Sequence, residues 1–326
     1  MTGRELILAT KPFAKEDRGK SWMYLLSSLF LLAAALAGSF FMPFLLFKVV
    51  CSVLAGLLLV RMFIIYHDFQ HHAILHRSVL ADVIMSLYGL YVLAPASIWK
   101  RSHDHHHNHN SKLFSASIGS YPIATKANFL SMPAGERRMY LFVRHPLTIL
   151  MGYFTMFIFG MCISSFISSP KRHYDSAIAL VLHGVIIYFG VTLFGWQALL
   201  LTYFLPLFMA CAMGAYLFYA QHNFPATSFG CKEEWKYEMA ALESSSYMVM
   251  GPFMNFMTGN IGYHHIHHLN SRIPFYRLPE AMEAIPQLQA ARKTSLDPKE
   301  IAACLRLKVW DPEANKMVGF KELGIA

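Results

Sequence analysis

Long apolar runs, bordered by clusters of histidine, constrain the fold of this chain more than any other feature. Four runs come close to the roughly 20 residues that a helix needs to cross a lipid bilayer. They cover residues 23–43, 45–66, 176–195 and 198–219. Only 14% of the 326 residues are charged, whereas soluble domains carry roughly 25%. The sequence therefore predicts an all-α, polytopic membrane protein with about four transmembrane helices.

Two further apolar runs need a different placement. The run 83–98 is too short to cross comfortably and is predicted to be interfacial or re-entrant, whereas 147–168 is long enough to span. Basic residues flank 147–168 on both sides, at Arg144 and at Lys171. Because basic flanks favour the cytoplasmic side, we predict that this run dips into the membrane or lies in its plane. A six-span alternative would require 83–98 to cross, which would separate the histidine clusters.

These assignments predict one membrane domain over residues 1–326. It comprises a cytoplasmic arm at 1–22, a helical hairpin at 23–66, cytoplasmic segments with interfacial elements at 67–175, a second hairpin at 176–219 and a cytoplasmic cap at 220–326. The formal charge of +9 fits cytoplasmic loops and would suit an acidic protein partner. We predict no nucleic-acid binding. The five cysteines show no paired spacing, so neither a disulfide framework nor a zinc finger is indicated.

Most of the seventeen histidines lie in four places at the ends of apolar runs. The segments are HDFQHHAILH (67–76), HDHHHNH (103–109), QH (221–222) and HHIHH (264–268). Imidazole is a good ligand for iron, copper, zinc and nickel. A single histidine most often has a structural role, but four clusters at the same kind of boundary predict one metal centre built from distant segments.

Spacing selects candidate ligands within the clusters. Residues four apart share a helix face, which favours His67 with His71, although His72 with His76 and His67 with His72 are alternatives. The pattern H-x-x-H-H occurs twice, and one further histidine follows the last apolar run. The remaining candidates are therefore His103, His106, His107, His222, His264, His267 and His268. Nine imidazoles are too many for one metal ion and suggest two ions with four or five ligands each.

Other residues are candidates for supporting roles around the ligands. Asp68 is placed to orient a ligand imidazole through its second ring nitrogen, or else to cap the helix. The other candidates for this outer shell are His72, His105, His265 and Asn260. We predict no catalytic side chain beyond the metal ligands and no nucleotide or flavin site. His183, inside an apolar run, is a candidate for the substrate path or for packing.

The motifs together resemble the membrane fatty acid desaturases, especially the bacterial acyl-lipid type. The resemblance rests on HDFQH, WKRSHDHHH (99–107), YAQHNF (219–224) and TGNIGYHHIHHLNSRIPFYRL (258–278), in that order, and covers about residues 45–280. The segment LRLKVWDPEANKMVGF (305–320) also resembles the tail of bacterial members. The resemblance implies a non-haem di-iron centre with two iron ions, ligated by the nine histidines, that uses O₂ to insert a double bond into a long acyl chain.

The implied reaction sets further expectations. A methylene C–H bond has no acidic proton, so the oxidising power must come from the metal centre and O₂, while the protein positions one carbon pair in an apolar channel. Reduction of O₂ to water requires two electrons beyond those of the substrate. We therefore expect an external donor, a ferredoxin or small cytochrome with its reductase. The expected substrate is an acyl-lipid or acyl thioester, and the expected location is the bacterial inner membrane with the histidines on the cytoplasmic face.

Two alternatives remain at the level of sequence. A related di-iron membrane hydroxylase, or an oxygenase acting on carotenoids or sphingolipids, would use the same ligand pattern. A metal transporter would instead place histidines or carboxylates along a path inside the spans. The clusters lie at the ends of the spans, which favours an enzyme.

Overall fold

The computed structural model describes residues 3–113, 119–230 and 235–324, and the structural statements below refer to these residues. The α-helices are α1 (Gly3–Thr10), α2 (Arg18–Phe41), α3 (Leu45–Gln70), α4 (Val79–Tyr91), α5 (Ala96–Asn108), α6 (Lys126–Ser131), α7 (Ala134–Val143), α8 (Pro146–Leu150), α9 (Ser165–Ser168), α10 (Tyr174–Leu199), α11 (Leu205–Ala220), α12 (Tyr237–Glu243), α13 (Pro252–Met257), α14 (His264–Leu269), α15 (Leu278–Ala284), α16 (Pro286–Gln289) and α17 (Pro298–Arg306). Wider π-helical turns at Tyr153–Ser164 and Leu200–Phe204 precede α9 and α11. Short strands β1 (Tyr247–Val249), β2 (Lys293–Ser295), β3 (Val309–Asp311) and β4 (Lys316–Val318) complete the fold.

Three helices are long and apolar enough to cross a membrane, or four if the bent pair α4 and α5 counts as one span. They are α2, α3 and a continuous apolar stretch from Tyr174 to Ala220. This stretch folds back at Gly195, whose φ of 81° and ψ of 168° interrupt the helix. His183 and Tyr203 hydrogen-bond across the fold, whereas a straight helix would hold them about 30 Å apart. The predicted all-α membrane fold is therefore confirmed, including the turn between 195 and 198.

The first hairpin, α2 and α3, extends beyond the predicted runs at the end that carries the first histidines. The side chain of Asp17 caps α2 by accepting a hydrogen bond from the Lys20 amide at 3.1 Å. Helix α3 continues into the first histidine cluster and ends at Gln70, with His71 as its C-cap residue. The outer surface of α2 is strongly apolar, and Phe30 is 72% exposed, as expected of a side chain that faces lipid. The continuation of α3 fixes the directions in which the first histidines point.

The run 147–168 packs with both of its ends at a similar depth. At its entry Gly152 packs against Cys211 of α11, and at its exit the Ser165 hydroxyl lies 3.0 Å from that of Ser176 in α10. Ser176 lies about as far before His183 as Cys211 lies after Tyr203, and His183 and Tyr203 are joined by a hydrogen bond. The two contacts of the run are therefore at a similar depth. The apolar helix Tyr153–Ser168 is also shorter than a full span. This geometry supports the predicted half-membrane or in-plane element.

Helices α4 and α5 meet at a 90° bend, which matches the predicted interfacial or re-entrant character of 83–98. Two buried tyrosine hydroxyls hold this bend against α3. Tyr66 donates to the Ala94 carbonyl at 2.8 Å, and Tyr88 donates to the Leu59 carbonyl at 2.7 Å. The bend turns α5, which carries the second histidine cluster, towards the end of α3.

The remaining segments form a cap over the ends of these helices. Strands β1 and β2 pair in parallel, and β3 and β4 pair antiparallel. The buried Arg61 of α3 donates to the Ser28 hydroxyl at 2.9 Å and to the Phe256 carbonyl, which ties the first hairpin to the cap. Four cysteines, Cys51, Cys162, Cys211 and Cys304, are free, and Cys231 lies outside the described residues. The segment boundaries given above for a single domain stay a prediction.

Candidate metal centre

The nine histidines selected from the sequence meet in two adjacent groups. Within each group the potential ligand atoms all lie within 4.8 Å of one another. The five-histidine group contains His67, His71, His103, His107 and His267. The four-histidine group contains His106, His222, His264 and His268. The rings of His107 and His268 stack at 4.3 Å across the boundary between the groups. This division agrees with the four or five ligands per ion argued from the sequence, and the role of each residue as a ligand stays a prediction.

Helical spacing explains how each H-x-x-H-H motif serves both groups. Its first and last histidines are four residues apart and share one face of the helix. In α5 that pair, His103 and His107, joins the five-histidine group, and in α14 the equivalent pair, His264 and His268, joins the four-histidine group. The intervening histidine of each motif points to the other group. Two helices thereby supply both groups, a division the sequence analysis did not make although the spacing contains it.

The spacing of the imidazole nitrogens fits first-row metal ions. In the five-histidine group, His107 Nε2 lies 3.1 Å from His103 Nε2 and 3.0 Å from His267 Nε2. In the other group, His222 Nε2 lies 3.1 Å from His106 Nε2 and 3.0 Å from His264 Nε2. A metal–nitrogen bond is about 2.1 Å long, so two ligands at right angles around one ion are about 3 Å apart. The donor set is all nitrogen, as expected for imidazole-bound iron, copper or zinc.

Burial favours the neutral form of several of these imidazoles. It lowers the pKa of His267 and His268 well below the ordinary value, and the neighbouring histidines add to the effect. Burial likewise lowers the pKa of His222 to about 4. His71 also has a lowered pKa, because of burial and then of nearby His67, His107, Lys100 and Arg272. A neutral imidazole retains a lone pair, which is the form that binds a metal.

Asp68 has the position expected of a residue that orients a ligand. Its Oδ1 lies 3.1 Å from His67 Nδ1, and its Oδ2 accepts a hydrogen bond from the Phe275 amide at 2.6 Å. The Nδ1 proton of His67 then points to the carboxylate, which leaves Nε2 for a metal. Asn260 holds the same backbone from the other side, because its Nδ2 donates to the Phe275 carbonyl at 3.1 Å. Asn260 therefore contacts the cap next to the partner of Asp68, and its supporting role stays a prediction.

His222 is held by an equivalent contact on the other side of the centre. Its Nδ1 lies 3.1 Å from the Ser244 carbonyl, which orients Nε2 towards the four-histidine group. The adjacent Asn223 accepts a hydrogen bond from the buried guanidinium of Arg144. Arg144, treated in the sequence as a basic flank of an apolar run, is fully buried and also donates to the Pro122 carbonyl at 2.7 Å. It therefore anchors the segment that carries His222.

The remaining candidate histidines lie outside both groups. His72 is exposed and faces His76 at 6.2 Å, so the structure does not bring this alternative pair to the centre. The ring of His105 stacks on that of His109 at 3.9 Å. His265 is buried next to the centre, but its Nε2 lies 3.2 Å from the Leu288 carbonyl. His265 therefore braces α14 against the cap.

Several contacts to the ligands were not selected from the sequence. Trp99 stacks on the ring of His103 at 4.5 Å, and Phe218 lies 5.0 Å from the ring of His106. Trp99 is four residues before His103, so helical spacing contained a signal for this contact. The proximity of Phe218 to α5 depends on the tertiary arrangement and had no such signal.

Comparison with known proteins decides the family. Residues 43–298 match the protein family described as Fatty acid desaturase. This chain belongs to the fatty acid desaturase family. It is 29% identical over 280 residues to the fatty acid desaturase of Bacillus subtilis (strain 168), covering 83% of this chain and 77% of the relative. It is 21% identical over 285 residues to an sn-1 oleoyl-lipid 12-desaturase of Anabaena variabilis, covering 84% and 78%. An sn-1 acyl-lipid omega-3 desaturase (ferredoxin) of Nostoc sp. (strain 36) is 24% identical over 274 residues, covering 82% and 75%.

An apolar cavity of about 530 Å³ connects the desaturase's histidines to the interior of its helical bundle. His67, His103 and His264 line one end of it. From there the cavity runs beside α11 from Gln221 to Leu207. At a helical rise of 1.5 Å per residue, this part of the cavity is about 21 Å long. His183 does not line this cavity and instead packs α10 against Tyr203, so it has the packing role. The cavity has the length and the apolar character that a fatty acyl chain requires.

Proposed function

We propose that this membrane enzyme is an O₂-dependent acyl desaturase whose nine histidines hold two iron ions. The observation that carries the proposal is the pair of buried histidine groups at the end of a long apolar cavity. When bound, the ions would supply, together with O₂, the oxidising power that an unactivated C–H bond requires. The five-histidine group would hold one ion and the four-histidine group the other. The spacing of the nitrogens within each group and the contact between Asp68 and His67 support this assignment.

The protein's own contribution is to place and shield the acyl chain. Leu59, Phe63 and Ile64 of α3 face Cys211 and Leu217 of α11 across the cavity. These side chains exclude water and hold the chain extended, so that one pair of carbons lies beside His67 and His264 while others are kept away. No side chain of the described residues is needed to remove a proton from carbon.

The direct test is lipid mass spectrometry after expression in a host that lacks the activity. We expect acyl chains that have lost two hydrogens, with the new double bond at one position. A gain of one oxygen without loss of hydrogen would instead identify a hydroxylase, the second candidate from the sequence. Unchanged lipids from an enzyme with bound iron and a supplied electron donor would contradict both.

We further propose that electrons come from a small acidic carrier, a ferredoxin or cytochrome served by its own reductase. The name of the Nostoc relative includes ferredoxin. In this chain, Lys100 and the exposed Arg272 lie close enough to His71 to affect its ionisation. A basic surface beside a ligand suits an acidic donor. The bacterial inner membrane, with this surface on the cytoplasmic side, is the proposed location.

Donor dependence is tested by charge reversal at this surface. In Arg272→Glu we expect the second-order rate constant for turnover with a purified acidic ferredoxin to fall by about tenfold at low salt, because steering depends on charge. Raising the ionic strength should lower the wild-type rate towards that of the variant. Lys316→Glu, an exposed position on β4, is the matched control and should change the rate little. A wild-type rate independent of salt would refute the proposed docking.

A further inference from the structure

Among the described residues that line the apolar cavity, the exposed ones lie on α7 and in the π-helical turn before α9. Most lining residues on α3 and α11 are buried, but Met139 and Phe142 of α7 are 61% and 57% exposed. Phe159, in the π-helical turn before α9, is 62% exposed, and its neighbour Gly160 is also exposed. These four residues all line the cavity. We call Met139, Phe142, Phe159 and Gly160 the rim, because they mark where the cavity opens.

On the side formed by the run 147–168, the surface around the rim is apolar. Phe154 and Ile167 of that run are exposed at 52% and 72%. On α7 the first turn is polar, with exposed Glu136 and Arg138, and the apolar rim residues follow it. A helix with a polar first turn and apolar residues on its outer face lies in the membrane–water interface. The opening therefore faces the acyl region of the bilayer, just below the headgroups.

We propose that the acyl chain enters sideways through the rim while it is still esterified in a membrane phospholipid. This inference rests on the proposed function, and it adds the route by which the acyl chain reaches the cavity. Phe142 lies one turn after Arg138 on α7, so a phosphate headgroup above the rim would be beside that guanidinium. The chain then passes between Phe142 and Phe159 to the histidines. A water-soluble thioester would have to enter an opening that faces lipid.

Gly160 gives a way to close the opening. A Cβ built on Gly160 meets nothing closer than the Thr155 carbonyl at 3.5 Å, so a larger side chain fits the backbone and projects at the rim. Gly184 of α10 is the matched control, because it is also exposed in an apolar helix, has no atom within 4 Å of an added Cβ and does not line the cavity. Gly160→Trp and Gly184→Trp differ mainly in their position relative to the rim.

The test uses phosphatidylglycerol vesicles containing a lipid with a photoreactive group midway along one acyl chain. In the full-length metal-loaded protein we expect photolabelling of cavity-lining peptides from α3 and α11. Gly160→Trp should reduce this labelling, and desaturation of vesicle lipid, by at least about tenfold, because the indole must be displaced for the chain to pass. Gly184→Trp should stay within about twofold of wild type. Met139→Trp places an indole at the rim from α7, and it replaces Gly160→Trp in the experiment if that variant does not fold.

The outcomes separate this proposal from the proposed function. Labelling that depends on Gly160, without formation of a double bond, would support the lateral entrance and contradict desaturation. Desaturation with equal rates in Gly160→Trp, Met139→Trp and wild type would support the function and overturn the entrance. An acyl thioester that labels α11 more strongly in solution than the phospholipid does in vesicles would also overturn it.

Discussion

Replacing His267 with alanine is expected to abolish double-bond formation while leaving the protein in the membrane. His267 is 1% exposed, and its Nε2 lies 3.0 Å from that of His107 in the five-histidine group. Loss of residues that merely support a ligand costs about 10–100-fold in metal affinity or activity, so the loss of a ligand should exceed this. Product measured by lipid mass spectrometry should fall to background, and the iron content per chain should fall with it.

The control for this variant is the neighbouring histidine. His265 is equally buried and lies on the same helix, but it contacts the Leu288 carbonyl and belongs to neither group. His265→Ala should unfold at a lower temperature yet retain its iron. Equal iron content and equal product in the two alanine variants would mean that His267 is not a ligand.

Removing the carboxylate of Asp68 should have the second-largest effect. In Asp68→Ala, His67 loses the acceptor that orients its Nδ1 proton, and the Phe275 amide loses its buried partner. We expect the affinity for iron to fall by about 10–100-fold, measured as faster loss of the metal to a chelator. Activity restored by excess iron would identify Asp68 as a positioning residue.

Asp104 is a suitable control for the loss of a carboxylate. It lies on α5 between ligand histidines, but it is partly exposed and pairs with Lys100 at 2.8 Å. Exposed pairs of this kind contribute little to stability, so Asp104→Ala should release iron at the wild-type rate. If chelation were equally fast in Asp68→Ala and in wild type, the contact with His67 would have no role in holding the metal.

The fold and the candidate ligands could be predicted from the sequence because both depend on local periodicity. Apolar runs of membrane length predicted the spans. Four-residue spacing allowed both His67 with His71, the preferred pair, and His72 with His76, and the structure brings the preferred pair to the centre. The division of nine histidines into two groups depends on the angle at which α5 and α14 meet. That angle arises from the 90° bend before α5 and from packing of the cap, neither of which has a local signature.

Tertiary contacts also give single residues an environment that differs from the one their local sequence suggests. Arg144 has the sequence context of a cytoplasmic charge, yet its guanidinium is buried among the Pro122 carbonyl and the Asn223 amide. Arg61 lies inside an apolar run and is satisfied only by groups of α2 and the cap. A buried cation needs such partners, and residues far away along the chain supply them. The sequence of one segment cannot show where its acceptors will come from.

The order of the ligands along the chain has a consequence for biosynthesis. The five-histidine group draws on the first hairpin through His67 and His71, and the four-histidine group draws on the second through His222. Both groups also need α14, which is synthesised after both hairpins. Neither group is therefore complete until α14 has left the ribosome, so the proposed iron ions would be acquired only after both hairpins have been synthesised. Once bound, the ions would link the two hairpins to each other and to the cap.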